Sequence, residues 1–184
     1  MGNKILIATL TKNTVTSQCA FSLVNLVNYS RELAVNYIIQ MGADIIGARI
    51  MLVRKAIAEG YTHIFFVDED VSFPKDTLLT LLAHDKDIVG ADYNFRELPI
   101  RGMATPLTEK SDLYKCKAIP SGLMLIRLSV FEKIPEPWFL FDRNEKGDCI
   151  ASEDVYFCRK AIDAGFEVWC DDTIKAKHNG NYAY

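Results

Sequence analysis

Three carboxylates follow directly on the most hydrophobic strand-like run of the chain, where His63-Ile64-Phe65-Phe66-Val67 leads into Asp68-Glu69-Asp70-Val71. Asp68 and Asp70 are two residues apart, so on extended backbone their side chains point the same way. Acids packed this densely repel one another, and a divalent cation relieves the repulsion. Oxygen ligands favour Mg2+ or Mn2+ over zinc, and such ions bridge carboxylates to a substrate's phosphates. The competing reading is a solvated acidic turn at a strand end. A second acidic pair, Glu153-Asp154, follows Ser152 at the head of a helical stretch. Ser152 suits an N-cap there, and first-turn acids are explained by the helix dipole alone. The chemical alternative is a general base aimed into a cleft. Near the end, Lys177-His178-Asn179-Gly180 holds a lone histidine, either an ordinary structural residue or a metal ligand from a distant segment.

These groups need elements to position them, and the hydrophobic pattern supplies a strand-then-helix rhythm. Strands are predicted over Ile5–Leu10, Val35–Met41, His63–Val67, Asp87–Ala91, Leu123–Ile126 and Phe166–Cys170. Helices are predicted over Ser17–Leu33, Ile45–Ala58 with Gly60 as its stop, Thr77–Leu82, Ser129–Lys133 and Ser152–Ala164. Pro74 is expected at the N1 position of the third helix, with Asp76 in its first turn. Residues Tyr93 to Lys117 hold Pro99, Gly102 and Pro106 and read as a long loop or short hairpin. Such alternation predicts an α/β layer structure with a mostly parallel sheet flanked by helices. In sheets of this kind ligands bind just beyond the carboxyl ends of the strands, where Asp68 falls.

With 184 residues, 49% of them hydrophobic and 24% charged, the chain suits one domain, 1–184, with a real core. Pro135 and Pro137 could mark a linker, but too few residues follow for a second core. A net charge of -3 gives no overall case for a nucleic-acid or membrane-surface binder. The distribution is uneven. Lys86 to Lys133 carries eight basic and six acidic residues, a local +2, and the stretch from Ile134 onward six basic and ten acidic, a local -4. That pairing fits a site gathering a cation and an anionic ligand, or ordinary solvated surface. No run approaches the roughly 20 apolar residues of a membrane span. Met1 to Ala8 shows no secretory pattern, so a cytoplasmic location is expected. Five scattered cysteines without a C-x-x-C pair are expected to be buried free thiols.

Taken together, these segments resemble the family-2-like glycosyltransferases of the GT-A fold, particularly small phage and bacterial members. Gly47-Ala48-Arg49 resembles the family's alanine-arginine-asparagine segment, with Ile50 in place of the asparagine. Phe66-Val67-Asp68-Glu69-Asp70 resembles the DxD motif, and Gly122-Leu123-Met124-Leu125-Ile126-Arg127 the glycine-led strand facing the acceptor. Pro137-Trp138-Phe139, Ser152-Glu153-Asp154 and His178-Asn179-Gly180 complete the set in the family's order, from about Ile5 to Gly180.

The resemblance implies a single GT-A-like (Rossmann-like) domain, with a nucleotide-sugar-binding half over 1–92 and an acceptor-side half over 93–184. It implies metal-dependent, inverting transfer of a sugar from a nucleotide-sugar donor, UDP-linked, to an acceptor hydroxyl. Asp68 would lie near the donor ribose or the metal, Asp70 would coordinate Mn2+ or Mg2+, and His178 would add a ligand. Asp154, with Glu153 beside it, would be the base. Thr9 and Thr11 would line the nucleoside pocket, Arg49 would approach the diphosphate, and Glu69 would belong to the donor side. Tyr93, Arg96, Gly122 and Trp138 would face sugar or acceptor, although an aromatic pair such as Trp138-Phe139 is more often core than sugar platform. The acceptor could be a glycan, a lipid-linked sugar or a hydroxymethylated base in phage DNA, in a groove shallow or shared with another subunit of a homo-oligomer. Two rivals stand beside this reading. A catalytically silent nucleotide-sugar-binding module is opposed by the intact Asp68, Asp70, Asp154 and His178. A metal-dependent nucleotidyltransferase would normally carry a Gly-rich phosphate loop, and Leu10-Thr11-Lys12-Asn13-Thr14 has no glycine.

Overall fold

Alternating side chains on the central strands build two apolar layers, one on each face of a sheet. The computed structural model describes residues 2–42 and 44–180. Its elements are β1 (Lys4–Thr11), α1 (Ser17–Tyr29), β2 (Ala34–Met41), α2 (Ile45–Ala58), β3 (His63–Asp68) and β4 (Val71–Ser72). They continue with α3 (Thr77–Ala83), β5 (Ile88–Ala91), β6 (Thr105–Pro106), β7 (Leu113–Ala118), β8 (Leu123–Arg127) and α4 (Ser129–Lys133). The last are β9 (Asp142–Arg143), β10 (Cys149–Ala151), α5 (Glu153–Asp163), β11 (Val168–Asp171) and β12 (Lys177–His178).

The main sheet has the order β2-β1-β3-β8-β5-β11-β7-β6. β1 pairs parallel with β2 and β3, and β5 pairs parallel with β11. β8 runs antiparallel between β3 and β5 and joins the two parallel groups. On one face Leu6, Ala8, Leu10, Ile64, Phe66 and Met124 pack under α2 and α5. On the other, Ile5, Ile7, Phe65, Val67 and Leu125 pack under α1 and α3. Ile64 to Val67 are wholly buried, which fits a strand covered on both faces. Each such side chain contributes about 1.5–3 kcal/mol.

Local chemistry sets most boundaries. Thr16 caps α1 by accepting from the Cys19 amide at 3.2 Å, and Asp44 caps α2 by accepting from Gly47 at 3.1 Å. Gly60, at φ 69°, follows α2 as the expected stop. Three details differ from expectation. Pro74 lies ahead of α3, its carbonyl accepting from the Thr77 hydroxyl at 2.7 Å, and Asp76 takes the N-cap position without a capping bond. Ser152 sits at the N-cap of α5 but donates its hydroxyl to Asp154 rather than capping the helix. The stretch from Tyr93 to Lys117 holds a short hairpin, β6 with most of β7, but this hairpin belongs to the main sheet, because β7 pairs with β11. Lysines at 115 and 117 alternate with buried Tyr114 and Cys116, so a half-buried strand next to the sheet edge reads as polar loop in sequence.

Pro135 and Pro137 mark no boundary. The residues on either side of them share one core: Phe131, Trp138, Phe139 and Phe157 pack together beside α5, with the Phe139 and Phe157 rings 5.1 Å apart. The five cysteines are free; Cys149 is exposed, and the other four are buried as expected. No helix among the described residues is long and apolar enough to cross a membrane.

Candidate active site

The carboxyl ends of β1, β2 and β3 open into a cleft. Its wall is Leu10, Thr11 and Lys12 at the end of β1, Gln40 and Gly42 at the end of β2, Ile45 and Ala48 of α2, Asp68 to Asp70, and Arg96 and His178. The acidic motif holds its shape through backbone bonds. The Asp68 amide donates to the Gly122 carbonyl at 2.9 Å, and the Glu69 carbonyl accepts from the Thr16 amide at 2.9 Å. The Glu69 carboxylate accepts the Lys12 amide at 3.1 Å, which ties the loop after β1 to the acidic turn.

Behind the cleft lies a buried cation. Arg49 of α2 has no exposed surface, and its guanidinium stands 4.8 Å over the Phe66 ring. Its Nη2 donates to Asp68 Oδ1 at 3.2 Å, and its Nε lies 3.5 Å from Glu153 Oε1. One residue thus joins the end of β3 to the start of α5. Burial pushes the Glu153 carboxyl above its ordinary range, opposed by Arg49 and helped by Asp154. Arg49, expected near a diphosphate, is buried behind the cleft and meets two carboxylates from the core side.

Tyr93 and Gly122 complete this inner layer. A Cβ at Gly122 would stand 2.2 Å from the Tyr93 hydroxyl and 2.3 Å from Asp68 Oδ2, so only glycine admits both groups. Burial, then the charges of Asp68 and Asp154, hold the Tyr93 hydroxyl well above its ordinary pKa, so it stays a neutral phenol. Asp154 is buried, and both of its hydrogen bonds among the described residues, from Ser152 and from the Val155 amide at 2.8 Å, fall on Oδ1. Asp68, Glu153 and Asp154, remote in sequence, meet around Arg49 and Tyr93.

Asp70 and His178 form the outer layer. β12 pairs antiparallel with β4, setting His178 opposite Val71. Asn179 fixes the approach, since its amide donates to the Asp70 carbonyl at 2.7 Å and its Nδ2 donates there at 3.0 Å. His178 Nε2 lies 3.4 Å from Asp70 Oδ1. Its Nδ1 is 3.1 Å from the Asn94 carbonyl, which can only accept, so Nδ1 carries the proton and Nε2 a lone pair. Burial and the neighbouring Arg96 lower the His178 pKa and keep the ring neutral. The Arg96 guanidinium meets both groups, paired with Asp70 and 2.9 Å from His178 Nε2.

This donor set bears on a metal. Among the described residues no group of three His, Cys, Asp or Glu side chains is placed to hold a metal ion. Asp70 and the Nε2 lone pair present a carboxylate and an imidazole to one place, which a guanidinium already finds attractive. Two protein ligands suit an ion of the Mg2+ or Mn2+ type that keeps its remaining positions for water and phosphate. Asp68, expected as a third ligand, turns its carboxylate to Arg49 and the Gly122–Tyr93 contact.

The remaining expected residues divide. Thr11, Glu69 and Arg96 line the cleft. Thr9 is wholly buried and does not line it. Trp138 is core, its indole N–H donating to the Ile134 carbonyl at 2.9 Å and its ring 5.2 Å from that of Phe131. It offers no platform to a sugar. Sequence reasoning passed over Asp92. At the end of β5 it accepts from the Met103 and Ala104 amides, both at 2.8 Å, and packs against Gly102, closing the base of the loop that carries Arg96. The available signal was an acid at a strand's carboxyl end, the position Asp68 has on β3.

No family model matches the chain, and no curated protein matches it. Solved structures do resemble it. The A197 protein from STIV superposes with a TM-score of 0.65 at 17% identity, over 96% of this chain and 86% of that one. GalNAc-T7, solved with UDP, GalNAc and Mn2+, gives a TM-score of 0.63 at 12% identity over 96% of this chain; the match spans 44% of GalNAc-T7. The inositol-1-phosphate CTP transferase from T. maritima gives 0.56 at 12% identity, over 97% and 90%. With its mixed sheet, its acidic turn at the end of β3 and these likenesses, the chain has a GT-A-like fold.

Proposed function

We propose that the protein is a metal-dependent, inverting glycosyltransferase that moves a sugar from a nucleotide-sugar donor, UDP-linked, to an acceptor hydroxyl. The observation that carries this reading is the bridge from Asp68 through Arg49 to Glu153, which ties the acidic turn at the cleft to the head of α5 behind it. Residues 1–92 form the donor half and 93–184 the acceptor-side half. Thr11, Lys12 and Gln40 wall the nucleoside side, and Asp70 with His178 would hold Mn2+ or Mg2+. Such an ion, when bound, neutralises charge building on the departing diphosphate. Arg96, displaced from Asp70 and His178 when the ion is bound, would add a second positive charge beside it. Asp154, whose Oδ2 is free of the bonds that hold Oδ1, accepts the proton of the attacking hydroxyl. A single base opposite the leaving group inverts the anomeric carbon. Glu153 acts through Arg49 as a positioning residue. A glycan, a lipid-linked sugar or a hydroxymethylated DNA base each offers a suitable hydroxyl.

The likeness to the CTP transferase, over nine-tenths of that chain, favours a nucleotidyltransferase as the second reading. Against it, the loop after β1 lacks glycine and its Lys12 amide is committed to Glu69 rather than open to phosphate. A thermal-shift screen of nucleotide sugars with and without Mn2+ separates the two. A donor at a hundred times its Kd stabilises the fold by about 2.7 kcal/mol. Stabilisation by a UDP-sugar only with Mn2+ supports the proposal; stabilisation by nucleoside triphosphates alone replaces it with the rival.

A further inference from the structure

A second cleft lies behind the wall that Tyr93 and Asn94 make with His178. Its character is opposite to the first. Lys175 and Lys177, two residues apart at the approach to β12, line it, and Lys110 lines it from the hairpin that leads into β7. The Lys110 ammonium lies 3.6 Å from Asp92 Oδ2, and the Asp92 Oδ1 is filled by two backbone amides, so these two charges cancel. Among the described residues neither Lys175 nor Lys177 has a carboxylate within 4.0 Å; Lys175 Nζ donates only to the Asp172 carbonyl, at 2.6 Å. Asp172 is the remaining acid in the lining, which leaves one net positive charge. The first cleft sets Asp68, Glu69 and Asp70 against Lys12 and Arg96 and is left with one net negative charge, whereas this one favours an anion.

We infer that the second cleft binds a phosphate group, and that this group belongs to the acceptor. Lysine ammoniums bind phosphate as point charges through charge-assisted hydrogen bonds. Neighbouring residues of β12 serve the two clefts, Lys177 the second and His178 the first. A molecule anchored by its phosphate at Lys175 and Lys177 therefore has only the Asn94–His178 wall between it and the proposed metal position. The phosphate site stands on the lysines alone; its assignment to the acceptor rests on the glycosyl-transfer reading.

Calorimetric titration of inorganic phosphate at constant ionic strength tests the site. Saturable binding is expected, weakened at least about tenfold in K175A/K177A and retained in K175R/K177R, with Mn2+-dependent UDP binding unchanged in both. Phosphate binding that is absent, or equal in the wild type and the double alanine variant, overturns the site. Competition by methyl phosphate or dimethyl phosphate then tells a monoester from a diester acceptor, either one supporting the inference. If UDP fails to bind the wild type while phosphate binding tracks the lysines, the site stands and the glycosyl-transfer reading falls.

Discussion

Arg49 Nη2 and Asp68 Oδ1 are 3.2 Å apart, with the arginine wholly buried and the aspartate at the rim of the cleft. The same guanidinium meets Glu153, so one cation sets the spacing between acids from β3 and α5. Isolated burial of Arg49 would be prohibitive, and its two carboxylates and the Phe66 ring make it tolerable. Removing it leaves Glu153 buried without its partner.

Arg49→Ala is therefore expected to lower stability by about 3 kcal/mol. Arg49→Lys should recover part of that, because it restores charge without the fork that meets two carboxylates. Urea denaturation of the three proteins checks the order, and a wild-type-like midpoint for the alanine variant would contradict the bridge.

Gly122→Ala forces a methyl against the Tyr93 hydroxyl and Asp68. Overpacking of this kind costs about 1–3 kcal/mol. Because the displaced groups line the inner layer, UDP binding should fall together with stability. A variant that binds and melts like the wild type would show that the close approach has no role.

Arg96 and a metal ion compete for Asp70 and His178. Arg96→Gln should raise affinity for Mn2+ alone severalfold, and Asp70→Asn should abolish it. Both are measured by calorimetry without donor, and identical affinities in all three proteins would remove Asp70 as a ligand.

Asp154→Asn keeps the shape of the side chain and removes the base. Donor binding should persist while turnover drops by a factor of about 10^2 to 10^4. Parallel loss of binding and turnover would instead mark Asp154 as structural.

Asp171 contributes to stability in a pH-dependent way. Burial pushes its carboxyl up, but hydrogen bonds from Thr173 and from His84, at 2.7 Å, outweigh that and hold it below the ordinary 3.8. A depressed folded-state value means stability that is fully present above pH 3.8 and lost as pH falls through that lower value. Asp171→Asn should be less stable at pH 7 and show a flatter decline of Tm in acid. An unchanged acid profile would exclude Asp171 as the source.

What the sequence determined by itself was local: the buried strand into Asp68, the helix over Ile45–Ala58 stopped by Gly60, and the acids that open α5. Period and turn chemistry act over a few residues, so they leave a readable trace. Only tertiary structure decided the rest. Trp138 carries the same aromatic signature in a core or on a sugar platform, and packing against Phe131 chose the core. Arg49 looks like a ligand for phosphate until burial and two carboxylates claim it. His178 reaches Asp70 because β12 pairs with β4, a long-range register that no local propensity encodes. β8 enters the sheet antiparallel between β3 and β5 and delivers Gly122 to Asp68. Contacts between distant segments are set by the shapes that must share one sheet and two cores, and those shapes exist only once the chain has folded.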